Sequence, residues 1–159
     1  MELHSIEPIY DENSKILILG SFPSVKSREE RFFYAHPQNR FWRVLARAFG
    51  AQLPQSIEEK KHFLLSNRIA LWDVIASCDI EGSSDVTIKN ATANDLSRIT
   101  SVAKIEKIIL NGKTAEKYFN KYLRQNININ AISLPSTSPA NAAWSIENLT
   151  RAWSENIFS

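Results

Sequence analysis

Small polar side chains lie at or just after the ends of four apolar runs that are long enough to form buried strands. The runs cover residues 16–19, 69–76, 105–110 and 127–134. The polar side chains at their ends are Ser21, Asp73, Asn111, Ser136 and Ser138. Parallel strands place their carboxyl ends at one edge of a sheet, and ligands bind there in open α/β folds. We therefore expect these side chains to share a site that hydrogen-bonds a polar ligand.

The connection between the first run and the next helix, 21–39, is longer than most strand-to-helix loops. Long connections in compact domains are usually functional or disordered, and the aromatic residues Phe32, Phe33 and Tyr34 argue against disorder. Asn39 lies directly before apolar residues at helical spacing over 40–49. An asparagine at this position is either an ordinary helix N-cap or a functional side chain.

Several common kinds of catalytic site are absent. Cys78 is the only cysteine, so neither an internal disulfide nor a four-cysteine metal site can form. The three histidines are scattered without a second ligand at metal spacing, and no GxSxG or GxxxxGK[ST] motif occurs. We expect no metal and no cofactor. No apolar run is long enough to span a membrane and no signal-peptide pattern is visible, so a cytoplasmic protein is expected.

Positive charge is concentrated between residues 24 and 47. The whole chain has a net charge of +2, which is too small to indicate nucleic-acid binding by itself. The segment 24–47 contributes +4 and the remainder −2. A solvated helix face is one interpretation, and a phosphate-binding surface is the other. The side chains predicted to contact phosphate are Lys26, Arg28, Arg40 and Arg43.

Three segments carry a resemblance to a known family. They are GSFPS at 20–24, YAHPQNRFW at 34–42 and LPSTSPANA at 134–142, with weaker matches in EGSSD at 81–85 and NATAND at 90–95. Together they resemble the uracil-DNA glycosylase superfamily, and specifically its hypoxanthine-DNA (deoxyinosine) glycosylase branch. The resemblance spans nearly the whole chain. The AHPxNRFW string is shared with mismatch-specific uracil glycosylases, so it indicates the superfamily better than the substrate.

The resemblance implies a role for most of the polar residues. An enzyme that acts on a base in DNA must flip it out of the helix into a pocket, and the implied base-binding residues are Ser21, Phe22, Tyr34, Asp73 and Asn111. Asn39 matches the catalytic asparagine, whose carbonyl could hold a water molecule near the sugar C1′. DNA contacts are implied for Ser136, Ser138 and Pro139. Phe22 and Leu134 stand where uracil-removing relatives have polar residues, and both departures favour either an enzyme that acts on a purine or an inactive relative that only binds.

The expected function is a monofunctional DNA glycosylase that removes hypoxanthine from DNA and leaves an abasic site. Its expected partner is DNA, with no membrane and no obligate protein partner. Two alternatives stay open. One is excision of uracil from mismatches, and the other is a catalytically silent module that binds nucleic acid or a nucleotide.

The alternation of apolar runs and amphipathic segments predicts an α/β fold over a single domain, 1–159. We expect a three-layer α/β/α sandwich around a short, mainly parallel four-stranded sheet. The resemblance implies the strand order 2-1-3-4. Residues 1–14 are expected to be irregular, and 78–94 are expected to form a loop. Helices are predicted over 40–49, from Ser56 to about residue 68, and over 95–103, 114–124 and 145–156.

Overall fold

The computed structural model describes the whole chain from Met1 to Ser159. Its strands are β1 (Glu2–Leu3), β2 (Ile16–Gly20), β3 (Ile69–Asp73), β4 (Ile75–Glu81), β5 (Ser84–Ala93), β6 (Lys107–Asn111) and β7 (Asn130–Leu134). Its helices are α1 (Val25–Glu30), α2 (Phe41–Ala48), α3 (Ile57–Ser66), α4 (Ser97–Thr100), α5 (Lys113–Tyr122) and α6 (Ile146–Ile157). A 3₁₀ turn, Arg124–Asn126, follows α5.

Four parallel strands form the central sheet in the order β3-β2-β6-β7. The middle strands are apolar on both faces because helices or other chain segments cover both sides. Leu17, Ile18 and Leu19 in β2 are fully buried, and Leu17 pairs with Ala70 and Ile108 on either side. The predicted order 2-1-3-4 is confirmed, since the second predicted strand is β3 and the third and fourth are β6 and β7.

Helices pack on the sheet in the way that right-handed crossovers require. The chain moves from β2 to β3 in one direction across the sheet and from β6 to β7 in the other, so the connecting helices lie on opposite faces. Helix α5 packs against β6 and β7 through a face that includes Ala115 and Phe119. Helices α2 and α6 pack together, with the Phe41 and Trp153 rings edge to face. This arrangement confirms the predicted α/β architecture.

The prediction that 78–94 is a loop is wrong. These residues belong to a hairpin of β4 and β5, which pairs with β1 in a second, antiparallel sheet. Most residues of β5 are exposed or half-buried, and its sequence lacks the alternation of apolar and polar residues that predicts a strand. Gly82 forms the turn with φ of 57°. The Tyr118 hydroxyl donates to the Ile88 carbonyl and ties the hairpin to α5.

Three smaller predictions also need correction. The second strand was expected over 69–76, but the parallel strand ends at Asp73, and the chain then passes into the antiparallel sheet at Ile75. The lead-in 1–14 contains β1, which pairs with β4. The long connection 21–39 contains the short helix α1, which Ser24 caps by accepting from the Ser27 N–H. No helix in the structure combines the length and apolar character needed to cross a membrane.

Candidate active site

The carboxyl ends of the parallel strands open into a cavity of about 480 Å³. The structure brings together the side chains that were predicted to share a site. Those that line the cavity are Ser21, Phe22, Tyr34, Asn39, Asp73, Asn111, Ser136, Ser138 and Pro139. None of the four predicted phosphate contacts, Lys26, Arg28, Arg40 and Arg43, lines it. Volumes of this size suit small-molecule ligands.

Asp73 is almost completely buried in the cavity lining, and a histidine holds it in place. The His4 Nε2 atom lies 2.7 Å from Asp73 Oδ2, with the two side chains 2% and 5% exposed. The backbone N–H of Ile6 donates to His4 Nδ1 at 3.3 Å. The ring proton is therefore on Nε2 and is donated to the carboxylate. The role of His4 could not be predicted, because nothing in the sequence relates it to a residue so far along the chain.

Gly20 ends β2 in a place that has no room for a side chain. A Cβ atom at this position would lie 2.5 Å from Asp73 Oδ1 and 2.8 Å from the Tyr34 hydroxyl oxygen. Both distances are too short for any van der Waals contact. The glycine therefore allows the carboxylate and the tyrosine to approach the same point of the strand end.

Tyr34 lines the cavity from a left-handed backbone conformation, with φ of 52°. Such conformations are uncommon for residues other than glycine and often occur at functional sites. One face of its ring stacks on Phe41, with centroids 4.0 Å apart, so only the remaining face and edge can contact a ligand. Burial and the nearby Asp73 carboxylate raise the pKa of the Tyr34 hydroxyl far above its ordinary value. The hydroxyl therefore stays protonated.

Tyr34, Asn39, Asn111 and Thr137 form a hydrogen-bonded group that we call the amide cluster. The Asn111 side-chain N–H groups donate to the Tyr34 hydroxyl at 3.1 Å and to Thr137 Oγ1 at 3.0 Å. The Thr137 hydroxyl donates in turn to Asn39 Oδ1 at 2.9 Å. The Thr137 N–H donates back to Asn111 Oδ1. Thr137 is fully buried, and no periodic pattern in the sequence distinguished it from its neighbours.

Asn39 has both lone pairs of its side-chain carbonyl engaged within the protein. Besides the Thr137 hydroxyl, the Phe41 N–H donates to Asn39 Oδ1 at 3.0 Å. Both acceptor sites of the carbonyl are therefore occupied within the protein, which weighs against the water-holding role predicted for it. The Asn39 Nδ2 atom makes no hydrogen bond within the protein. The bond to Phe41 also serves the start of α2, although the N-cap residue of that helix is Arg40 and Asn39 lies one residue before it.

The hairpin contributes a second carboxylate that sequence analysis did not assign. Asp85 lines the cavity and accepts a hydrogen bond from the Ser21 hydroxyl at 3.1 Å. Burial raises the pKa of the Asp85 carboxyl; the hydroxyls of Ser21 and Thr114 lower it, and Asp73 raises it further. Its only signal in the sequence was the weak EGSSD match. We call residues 81–86 the hairpin tip.

Arg28 and Val25 connect α1 to the hairpin tip. The Arg28 Nη2 group donates to the Gly82 carbonyl at 2.8 Å, and the guanidinium carbon lies 5.6 Å from the centre of the Phe22 ring. The Val25 N–H donates to the Ser83 hydroxyl at 2.9 Å. These contacts fix the hairpin tip against the cavity, so Arg28 has an internal partner besides any ligand.

The other predicted phosphate-binding side chains also have internal partners. Arg40 donates to the carbonyls of Ser138, Asn141 and Trp144, and thereby holds the loop 136–144. The Arg43 Nη2 group lies 3.3 Å from the backbone carbonyl oxygen of Asn39. The Lys26 ammonium pairs with the Glu30 carboxylate at 3.2 Å. Arg40 therefore organises the loop that carries Ser138 and Pro139.

The hydroxyl oxygens of Ser136 and Ser138 accept hydrogen bonds from backbone N–H groups of their own loop. The Ser136 oxygen accepts from the Ser138 N–H at 3.1 Å, and the Ser138 oxygen accepts from the Ala140 N–H at 3.1 Å. Both hydroxyl protons remain available to an acceptor such as a phosphate oxygen. No group of three or more histidine, cysteine or acidic side chains in the structure could hold a metal ion.

The fold and the cavity define a recognisable class of protein. The family model described as the uracil DNA glycosylase superfamily matches residues 7–156. The chain belongs to this superfamily.

Particular relatives are similar over most of their length. The chain is 39% identical over 152 residues to a protein named hypoxanthine DNA glycosylase from Methanosarcina acetivorans, covering 94% of both chains. A protein of the same name from Methanosarcina barkeri is 39% identical over 121 residues, which cover 74% of this chain and 76% of the relative. A solution NMR structure of a candidate uracil DNA glycosylase from Methanosarcina acetivorans matches with a TM-score of 0.83 and 35% identity, covering 96% of this chain and 94% of the other.

Proposed function

We propose that the protein is a DNA glycosylase that removes hypoxanthine from deoxyinosine in DNA. It hydrolyses the N-glycosidic bond and leaves an abasic site. The observation that carries this proposal is the cavity at the strand ends, lined by Asp73 and the amide cluster, in a chain so similar to proteins named for hypoxanthine. The whole chain acts as one domain on DNA, and the cytoplasm is the expected compartment.

The polar edge of hypoxanthine fits the donors and acceptors of the cavity. The base has an acceptor at O6 and a donor at N1–H, whereas adenine has the opposite pattern. Asp73 accepts a hydrogen bond from His4 at Oδ2 and offers the other oxygen, Oδ1, as an acceptor for N1–H. The backbone N–H groups of Phe22 and Ser24 donate to no atom within the protein, and one of them serves O6. Adenine would leave the carboxylate facing a lone pair.

Asn39 is the proposed catalytic residue, with its side-chain N–H as the active group. Phe41 and Thr137 hold its carbonyl, which fixes the direction of Nδ2. A donor held in this way stabilises negative charge that develops on the departing base, at no cost of reorganisation. This role replaces the positioning of water by the carbonyl.

The loop 136–144 and helix α5 supply the contacts to the DNA backbone. The hydroxyls of Ser136 and Ser138 are free to donate to phosphate, and Arg40 maintains the loop from behind. Lys113 is exposed at the start of α5 and forms no ion pair. The neighbouring Gly112 lies against Ser136. Lys113 is therefore a better placed phosphate contact than the paired Lys26.

The test is a cleavage assay on matched oligonucleotides that contain inosine, uracil, xanthine or only normal bases. Products are treated with alkali, which cuts the strand at abasic sites. The proposal expects alkali-sensitive cleavage at inosine with free hypoxanthine in the supernatant. A protein that binds these oligonucleotides and cuts none of them is the silent module, and the proposal is then wrong.

Uracil is the second candidate substrate, since the matching solved structure is described as a candidate uracil DNA glycosylase. Phe22 is apolar at a position where the resemblance expects a polar residue in uracil-removing enzymes, so we rank uracil below hypoxanthine. Faster cleavage at uracil in mismatches than at inosine would reverse that order.

A further inference from the structure

Two carboxylates reach the same cavity, and the proposed reading of the base uses only one of them. Asp73 has a strong donor in His4, 2.7 Å away. Asp85 has no ion-pair partner and accepts from a neutral hydroxyl, that of Ser21. Two acidic groups in one site whose surroundings differ in this way commonly divide the tasks of acid and base.

The groups that face Asp85 leave it without a cation. Asp73 comes from β3, Tyr34 from the connection after β2, Cys78 from β4, and Tyr118 from α5. Arg28 lies against the same hairpin, yet it donates to the Gly82 carbonyl and forms no ion pair with Asp85.

The position of the carboxyl group is fixed. The Ser21 hydroxyl holds it from β2, and contacts of Arg28 and Val25 hold the hairpin tip. Burial raises the pKa of Asp85, which favours the protonated form. A protonated carboxyl can donate a hydrogen bond, whereas an ionised carboxylate only accepts.

We propose that Asp85 is the general acid that protonates the departing purine. This inference rests on the proposed function, because it concerns the same cavity and the same reaction. A purine that leaves through N9 takes the electron pair of the C1′–N9 bond into its ring, and a proton delivered to a ring nitrogen neutralises it. General acids of this kind typically accelerate reactions by about 10²- to 10⁴-fold.

The step balances without any further reactant. The C1′–N9 bond breaks, its electron pair goes to the purine, and the proton passes from the Asp85 oxygen to N3 or N7. Water then adds to C1′. The proton that the water loses returns to the Asp85 carboxylate, so the acid is restored and the net reaction is hydrolysis.

The experiment measures single-turnover release of hypoxanthine from an inosine oligonucleotide across a pH series. Asp85→Asn keeps an oxygen that accepts from the Ser21 hydroxyl but has no acidic proton. It therefore tests proton donation without removing the contact to Ser21. Asp79→Asn is the matched control, because Asp79 is a carboxylate on the same hairpin that bonds Asn90 outside the cavity. A second substrate carries 7-methyl-2′-deoxyinosine, whose purine ring is positively charged while it is bonded to C1′ and therefore leaves as a neutral base without an added proton.

For the wild-type protein and Asp79→Asn, the rate should fall as the pH rises through the pKa of Asp85. Asp85→Asn should release hypoxanthine from inosine about 10²- to 10⁴-fold more slowly, and its rate should not fall with pH in this way. Its rate on the charged purine should be close to that of the wild-type protein. A wild-type rate that rises with pH, or equal losses on both substrates, would overturn the acid role and leave the proposed function standing. A wild-type protein that releases no base overturns both.

Discussion

The amide cluster and the hairpin tip contribute polar groups to the same cavity, yet they differ in how completely those groups are partnered. In the amide cluster, Asn111 and Thr137 bond each other twice, and both lone pairs of the Asn39 carbonyl are used. In the hairpin tip, Asp85 has hydroxyl partners and a neighbouring carboxylate that opposes its ionisation.

This difference separates two requirements of catalysis. A neutral network that engages the Asn39 carbonyl fixes the direction of the Asn39 N–H, since any rotation would break bonds to Thr137 and Phe41. A buried carboxyl group without a cation favours its protonated form, and its ionisation costs stability. The amide cluster therefore supplies geometry, and the hairpin tip supplies an exchangeable proton.

The largest expected effect comes from breaking the amide cluster at its active group. Asn39→Asp keeps an oxygen for Thr137 and Phe41 and removes the Nδ2 donor. Excision of hypoxanthine should fall about 10²- to 10³-fold, as it does when one preorganised donor is lost elsewhere. DNA affinity, measured by fluorescence anisotropy, should change little. Near wild-type excision would reduce Asn39 to a helix cap.

Asn39→Ala serves as the comparison for that variant. It should also lose most excision and should in addition lower the free energy of unfolding by about 1 kcal/mol, because the Phe41 N–H loses its acceptor. Urea unfolding of both variants separates the two effects. Equal stability of Asn39→Ala and wild type would mean that the hydrogen bond from the Phe41 N–H to Asn39 does not stabilise the fold.

Asp73→Asn should have the next largest effect, since it exchanges an acceptor for a donor beside the base. Activity on inosine should fall, and the preference for inosine over adenine should narrow. His4→Gln retains a donor for Asp73 and is the matched control, expected to preserve that preference. An unchanged ratio of inosine to adenine excision in Asp73→Asn would remove Asp73 from base recognition.

Gly20→Ala tests the close approach of Asp73 and Tyr34. The new Cβ would meet atoms 2.5 and 2.8 Å away, so both side chains must shift. Overpacking of this kind costs about 1–3 kcal/mol of unfolding free energy, and thermal melting measures it. Gly50→Ala is a useful comparison, because its Cβ meets nothing within 4 Å and only its φ of 60° opposes the change. A larger loss at Gly50 would mean that space at Gly20 is not limiting.

The sequence predicted the part of the site that local patterns encode. Ser21 and Asn111 follow apolar runs and Asp73 lies near the carboxyl end of one, and a parallel sheet brings such ends together whatever the loops contain. His4 and Thr137 could not be found in this way, because their partners Asp73 and Asn39 are distant in the chain and no spacing rule connects them. Asp85 was missed because a hairpin with one exposed face resembles a polar loop.

Charge patterning was the least informative signal. The excess of lysine and arginine over 24–47 is real, but a basic side chain satisfies a backbone carbonyl as readily as a phosphate. Arg40 is a basic side chain that satisfies backbone carbonyls, since three carbonyls of the loop 136–144 accept hydrogen bonds from it. The sequence cannot distinguish these uses, because the difference depends on where the loop folds back.

A smaller effect is expected on stability at the hairpin tip. In the unfolded chain Asp85 titrates near its ordinary pKa of 3.8, and burial raises the pKa in the folded state. The folded protein then binds more protons than the unfolded chain between these two values, so its stability falls as the pH rises through that range. Asp85→Asn should lack this contribution and become relatively more stable toward neutral pH. Urea unfolding from about pH 4 to pH 8 measures the difference, and parallel curves for the two proteins would contradict it.

The smallest expected effect separates a phosphate contact from a side chain that organises a loop. Lys113→Gln should weaken DNA binding similarly for all sequences and reduce the slope of log affinity against log salt by about 1. Arg40→Gln should leave that slope nearly unchanged and lower excision, because its guanidinium bonds carbonyls of the loop 136–144. Lys104→Gln is the control, since this exposed lysine lies before the amino-terminal end of β6, away from the cavity. If Arg40→Gln flattens the slope and Lys113→Gln does not, the phosphate backbone lies along the basic segment 24–47, which is one of the two interpretations of its charge.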